Sequence, residues 1–144
     1  MGQKIVFNRN KGFSLIELLI VMVVVGILAS VGYPSYRDHV LRTQRVEAQS
    51  ALMDAASRQE QFFLDNKTYT TTIGAGGLNL AALTESGAYA LSVVAPTAAC
   101  PITRCYVLRA TPQGGQTDDT RCASLTLSSS GTKNATGTAP TECW

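Results

Sequence analysis

The sequence predicts an α+β chain in which a long N-terminal helix, apolar and protruding in its first half, lays an amphipathic second half against an antiparallel β-sheet. Three patterns predict it. Phe13 to Tyr33 forms an apolar run of 21 residues, and apolar residues beyond it recur at helical spacing. From about residue 88, stretches alternate apolar and polar side chains with period two.

The apolar run has the length of a membrane span, since a helix rising about 1.5 Å per residue crosses the hydrocarbon layer in roughly 20 residues. Before Tyr33 only Ser14, Glu17 and Ser30 bring side chains that hydrogen-bond strongly. A chain of 144 residues has room for one domain and an appendage, which leaves no second, catalytic domain. Lys4, Arg9 and Lys11 precede the run with no acid among them. They favour a cytoplasmic N-terminus, and so place the chain beyond Tyr33 across the membrane. Beyond residue 12 nine basic residues face ten acidic ones, so the formal charge of +2 offers no field for a polyanion.

A secretory signal is cut after its apolar stretch, near small residues. Here the junction of basic and apolar character, Lys11-Gly12-Phe13-Ser14, lies before the stretch. Residues 1–12 therefore read as a removable leader, with the apolar helix retained. Glu17 then costs on the order of a few kcal/mol in lipid unless it reaches the headgroups, takes a proton or meets a cation. Only four residues past Phe13, it sits where headgroup level and helix dipole both favour it. A second reading pairs it with a positive group from another copy, such as an amine newly freed at Phe13.

Gly26, Gly32 and Pro34 interrupt the run, and a bend or melted turn is expected there, because proline removes one helical hydrogen bond and clashes one turn back. Beyond it, Val46, Met53, Ala56 and Phe63, with Ala48, Leu52, Ala55 and Phe62, form one broad apolar stripe. Arg42, Arg45, Glu47, Asp54, Arg58, Glu60 and Gln61 fill the complementary positions. The helix is expected from Phe13 to Leu64, about 80 Å long, with Asp65-Asn66-Lys67 as its stop and Tyr69 packing back on Phe62 or Phe63.

Residues 65–87 read as a connecting loop with a short helical turn over Leu78 to Leu83. Strands are expected over Ala88–Val94, Tyr106–Ala110 and Ala123–Leu127, joined by the turn-rich Pro96–Thr103 and Pro112–Asp119 into a meander over about 88–127. The segment Ser128–Thr141 is too small and polar for a core and would be floppy by itself. Cys122 and Cys143 bracket it. Four cysteines beside an export-type N-terminus point to an oxidising compartment, and they allow three pairings.

Gly12-Phe13-Ser14-Leu15-Ile16-Glu17, followed by Leu18-Leu19-Ile20-Val21, resembles the class III signal of type IV prepilins and of type II secretion pseudopilins. The resemblance continues through Tyr33-Pro34-Ser35-Tyr36, Ala55 to Phe62, Leu108 to Pro112 and the Cys122 to Trp144 region, which is particularly similar to PilE-type minor pilins. It implies that a prepilin peptidase cuts after Gly12 and methylates Phe13, and that Glu17 promotes docking of one subunit on the next. It implies a pilin roll with domain 34–144, helix 34–64, and a C-terminal region 122–143 closed by a Cys122–Cys143 disulfide. Closing such a loop stabilises by roughly 3 kcal/mol. Cys100 and Cys105 depart from many relatives; a local clamp is the simplest account, with the crossed pairings left open.

The implied function is a structural subunit of a type IV pilus, serving assembly and so adhesion, twitching motility or DNA uptake. The implied partners are other pilin subunits, the prepilin peptidase, the inner membrane and the assembly machinery. The implied location is a single-pass inner-membrane state, then the extracellular filament. Three alternatives stand beside it: a pseudopilin, a DNA-receptor minor pilin using Arg104, Arg109, Arg121 and Lys133, and a plain single-pass membrane protein, which leaves Glu17 unexplained.

No enzyme is expected. His39, the one histidine, finds no Ser/His/Asp, Cys/His or HExxH constellation. The cysteines lack a tight second pair for zinc, and Asp118-Asp119 alone are short of the six to eight oxygens calcium takes. Gly74-Ala75-Gly76-Gly77 lacks the Lys-Ser/Thr pair of a phosphate loop. No cofactor or metal is expected.

Overall fold

The computed structural model describes residues 12–144, so Lys4, Arg9, Lys11 and the expected leader ahead of Gly12 lie outside the described residues. Helix α1 spans Leu15–Asn66, two residues later at each end than expected. The chain divides into two compact units, one ending at Asp38 and the other running from His39 to Trp144.

In the first unit α1 starts where the Ser14 carbonyl accepts the Glu17 and Leu18 N–H groups at 3.1 and 3.3 Å. No melted turn interrupts it: helical structure continues through Gly26, Gly32 and Pro34. Proline lacks one N–H, which withdraws a donor from the Ser30 carbonyl alone, and the flanking turns keep theirs.

In the second unit α1 ends where Lys67, at φ 58°, donates its N–H to the Phe63 carbonyl at 2.8 Å, a left-handed cap at the expected stop. Tyr69 stacks on Phe63 with ring centroids 4.7 Å apart. Four strands come next: β1 (Tyr89–Val93), β2 (Val107–Pro112), β3 (Leu125–Ser128) and β4 (Lys133–Ala135). They form an antiparallel meander in the order β1-β2-β3-β4. The register sets Leu91, Ala110 and Leu125 in one row and Leu108 beside Leu127 in the next. This row structure delivers one buried face, and Ala48, Leu52 and Ala55 of α1 share its core with Tyr89, Leu108 and Leu125. Each fully buried leucine contributes roughly 1.5–3 kcal/mol.

Three expectations are corrected. Val46 and Met53 do not join the core; they are exposed, and the buried line is Ala48, Leu52, Ala55 and Gln59. A polar residue continues that line because the Gln59 amide mimics a strand partner: its Nε2 donates to the Thr70 carbonyl at 2.7 Å and its Oε1 accepts the Thr70 N–H at 3.0 Å. Leu78–Leu83 forms no helix; Leu78 and Leu80 donate their N–H groups back to Thr72 and Ile73, and Leu83 bridges Ala90. Finally, the polar tail supplies β4. Gly131, at φ 78°, makes the turn that L side chains disfavour, and the Ser128, Ser130 and Thr132 hydroxyls join across it at 2.8 and 3.0 Å. Backbone pairing and hydroxyls hold a strand there without apolar burial.

Candidate functional site

Gly12 and Phe13 precede α1 in open surroundings, with Phe13 81% exposed. From there to Val31 every large apolar side chain is exposed, down to 48% at Val24. Glu17 is the one charged residue between Gly12 and Tyr36, and it lies in the first turn of α1. Water does not tolerate such a surface, and α1 is the one helix among the described residues long and apolar enough to cross a membrane. The surface fits lipid or other apolar helices. A carboxylate so placed is aligned with the positive end of the helix dipole and favours a cationic partner.

The second unit is closed at the far end of the sequence. Cys122 is bonded to Cys143, both wholly buried, and Cys100 to Cys105. The Cys122–Cys143 region is tied to α1 by polar contacts, one of them from Arg45, which sequence patterning placed on the solvent side. Arg45 reaches Asp119 Oδ2 from Nη2 at 2.5 Å and from Nε at 3.2 Å, and Asp119 is 4% exposed. The other Asp119 oxygen accepts the Cys122 N–H at 3.2 Å. Gln49 Nε2 donates to the Cys143 carbonyl at 2.8 Å. Gln116, fully buried in the short 3-10 helix Gly114–Asp118, donates to Asp119 Oδ2 and to the Tyr89 hydroxyl. Burial raises the Tyr89 phenol above its ordinary pKa and keeps it a neutral partner.

Both Asp119 oxygens are engaged, by Arg45, Gln116 and the Cys122 N–H. His39 is exposed on α1, its carbonyl accepting the Thr43 hydroxyl at 3.0 Å.

The loop clamped by Cys100 and Cys105 docks on the start of the αβ connection, where the Ile102 carbonyl accepts the Tyr69 N–H at 3.1 Å. Of the basic residues considered for nucleic acid, Arg104 and Arg109 are exposed without an ion pair among the described residues. Arg121 pairs with Glu142, and Lys133 Nζ lies 5.2 Å from the centroid of the Trp144 ring.

Comparison with known proteins places these features. Residues 7–33 match the prokaryotic N-terminal methylation motif. Residues 34–126 match the family described as type IV minor pilin ComP, DNA uptake sequence receptor. The fimbrial protein EcpC of Eikenella corrodens is 36% identical over 89 residues, covering 62% of this chain and 56% of that protein. The type IV major fimbrial protein FimA of Dichelobacter nodosus is 37% identical over 90 residues, covering 62% and 54%. The chain thus spans about half the length of these curated relatives. The non-core minor pilin PilV of Neisseria meningitidis superposes with a TM-score of 0.51 at 20% identity, covering 69% of this chain and 90% of that one, which shows a shared fold.

Proposed function

The chain belongs to the type IV pilins, and from that premise we propose that it is a minor structural subunit of a type IV pilus, anchored in the inner membrane by residues 13–33 before it enters the filament. One observation carries the reading: an apolar helical segment exposed from Phe13 to Val31 whose one charge is Glu17. In lipid that face is solvated by acyl chains. In a filament, sister helices replace the lipid, and the Glu17 carboxylate is met by the amine of a neighbouring Phe13, freed by prepilin peptidase after Gly12. The charge pair then disfavours any register that leaves Glu17 unpaired in an apolar core. Gly32 and Pro34 are placed to let α1 bend during the transfer.

The test is Glu17→Leu. The variant should insert and lose its leader as the wild type does, yet be nearly absent from sheared filaments. Wild-type incorporation of the variant refutes the pairing.

A second reading comes from the description of the family matched by residues 34–126, a DNA uptake sequence receptor. Exposed Arg104 and Arg109 are among the cations available to a phosphate backbone. The near-neutral balance of residues 13–144 limits non-specific attraction, so this reading requires base-dependent contacts. Purified full chain in detergent should retain one DNA sequence over a scrambled one, with affinity falling steeply with salt. Equal retention of both sequences excludes a sequence receptor.

A further inference from the structure

A concave site lies at the C-terminal end of α1, within the second unit. Arg58, Gln61, Phe62 and Asp65 recur at i, i+3, i+4 and i+7, which sets them on one helix face. Residues 77–79 of the αβ connection close the other side, and together they line a recess of about 200 Å³. The loop wall is fixed by its own bonds. Leu78 donates its N–H to the Thr72 carbonyl and Asn79 its N–H to the Gly74 carbonyl, both at 3.1 Å. Arg58 Nη1 donates to the Leu78 carbonyl at 3.2 Å, and its Nε donates to Asp54 Oδ2 at 3.1 Å. Gly77 packs so closely on Thr72 that a Cβ there would lie 2.1 Å from the Thr72 carbonyl oxygen.

Two residues of the recess go against local rules. Asp65 puts a negative charge in the last turn of α1, where no basic residue offsets it and the helix dipole disfavours it. Asn79, at φ 52°, occupies the left-handed region that glycine enters more easily. Neither side chain has a hydrogen-bond or ion-pair partner among the described residues, and the same holds for Gln61. Stability gives no reason for this combination, and departures of this kind gather at functional sites.

We propose that the recess binds one neutral hexopyranose ring of a glycan. The inference stands apart from filament assembly and adds a ligand to the second unit. The recess is smaller than the roughly 300–1,000 Å³ of sites for drug-sized ligands, so it takes a single ring. Such a ring has an apolar face of C–H groups and a rim of hydroxyls. Phe62, partly packed on the core, turns apolar surface to the first. Asp65, Gln61 and Asn79 offer the second a carboxylate and two amides, which accept from and donate to neighbouring hydroxyls. Arg58 is held through Nε and Nη1, which leaves Nη2 outside both bonds and able to donate to a hydroxyl oxygen. Asp65 repels an anion and Arg58 a cation, so a neutral ligand is favoured over either.

Saturation-transfer NMR on the full chain, in a zwitterionic detergent without a sugar headgroup, tests this with the methyl glycosides of glucose, galactose and N-acetylglucosamine as probes. Wild type should transfer saturation to the ring protons of at least one of the three. Asp65→Ala and Asn79→Gly should each weaken its affinity at least about fivefold, the loss of one hydrogen bond. Glycine keeps the left-handed backbone at position 79, so the second variant removes the amide without straining the loop. Arg104→Ala, outside the recess, should bind as wild type does. No transfer to any of the three probes, or wild-type affinity in either recess variant, overturns the proposal and leaves the pilin reading standing.

Discussion

Asp119→Ala is the substitution that most directly probes how the C-terminal region is fixed to the helix. Asp119 is 3% exposed and Arg45 13% by side chain, so removing the carboxylate strands a buried guanidinium and also takes the acceptor from the Cys122 N–H. Breaking a buried pair from one side costs about 3–5 kcal/mol. For a unit of about 100 residues, 1 kcal/mol shifts Tm by roughly 4–8 °C, so a fall of about 12 °C or more is expected. Thermal unfolding followed by near-UV circular dichroism on the full chain in detergent reads the second unit, where the buried tyrosines lie. The double variant Arg45→Met with Asp119→Leu should recover most of the loss, since apolar replacement of both partners is nearly neutral. A loss below about 1 kcal/mol for Asp119→Ala, or a double variant as unstable as the sum of its singles, refutes a stabilising role for the pair.

Cys122→Ser with Cys143→Ser should cost roughly 3 kcal/mol and Cys100→Ser with Cys105→Ser nearer 2, from loop-closure entropy over separations of 21 and 5 residues; comparing denaturant midpoints of the two variants checks the order. Gly137 sits at φ 127° with the Arg121 carbonyl where a side chain would begin, so Gly137→Ala should destabilise by about 1–3 kcal/mol, measured in the same unfolding series. For Glu47, burial raises the carboxyl, but hydrogen bonds from the Ser86 hydroxyl and backbone N–H outweigh it and hold the pKa below the ordinary 4.5. Its contribution is therefore fully present above that value and fades as pH falls through the depressed one. The Tm gap between wild type and Glu47→Gln should be constant near neutrality and shrink at acid pH; a gap that widens on acidification contradicts the sign.

The long helix and the first three strands were legible because they express one period each: an unbroken apolar run, a 3.6-residue stripe and two-residue alternation. The roles proposed for Gly12, Phe13 and Glu17 rest on the sequence order of a basic stretch, a Gly-Phe junction and an apolar run with one acid. What escaped was polar. β4 is held by backbone pairing and serine hydroxyls around Gly131 and has no apolar period to betray it. Arg45 read as solvent-facing by residue type, yet it is turned inward by a partner far along the chain, Asp119, and the buried Gln59 is held by Thr70 in the loop after the helix. Val46 and Met53 fit the stripe equally well, but the four-stranded sheet covers only one narrow side of the helix, and these two lie beyond it. Periodicity reports that a residue is apolar on a helix; it does not report whether the cover comes from the same chain.

The decisive measurement is mass spectrometry of sheared, washed surface filaments from cells expressing the intact chain. The account predicts this polypeptide among the filament proteins, in substoichiometric amount, beginning at a methylated Phe13 and carrying the Cys122–Cys143 bond. Well-formed filaments without it, together with a membrane pool still bearing residues 1–12, would contradict the account.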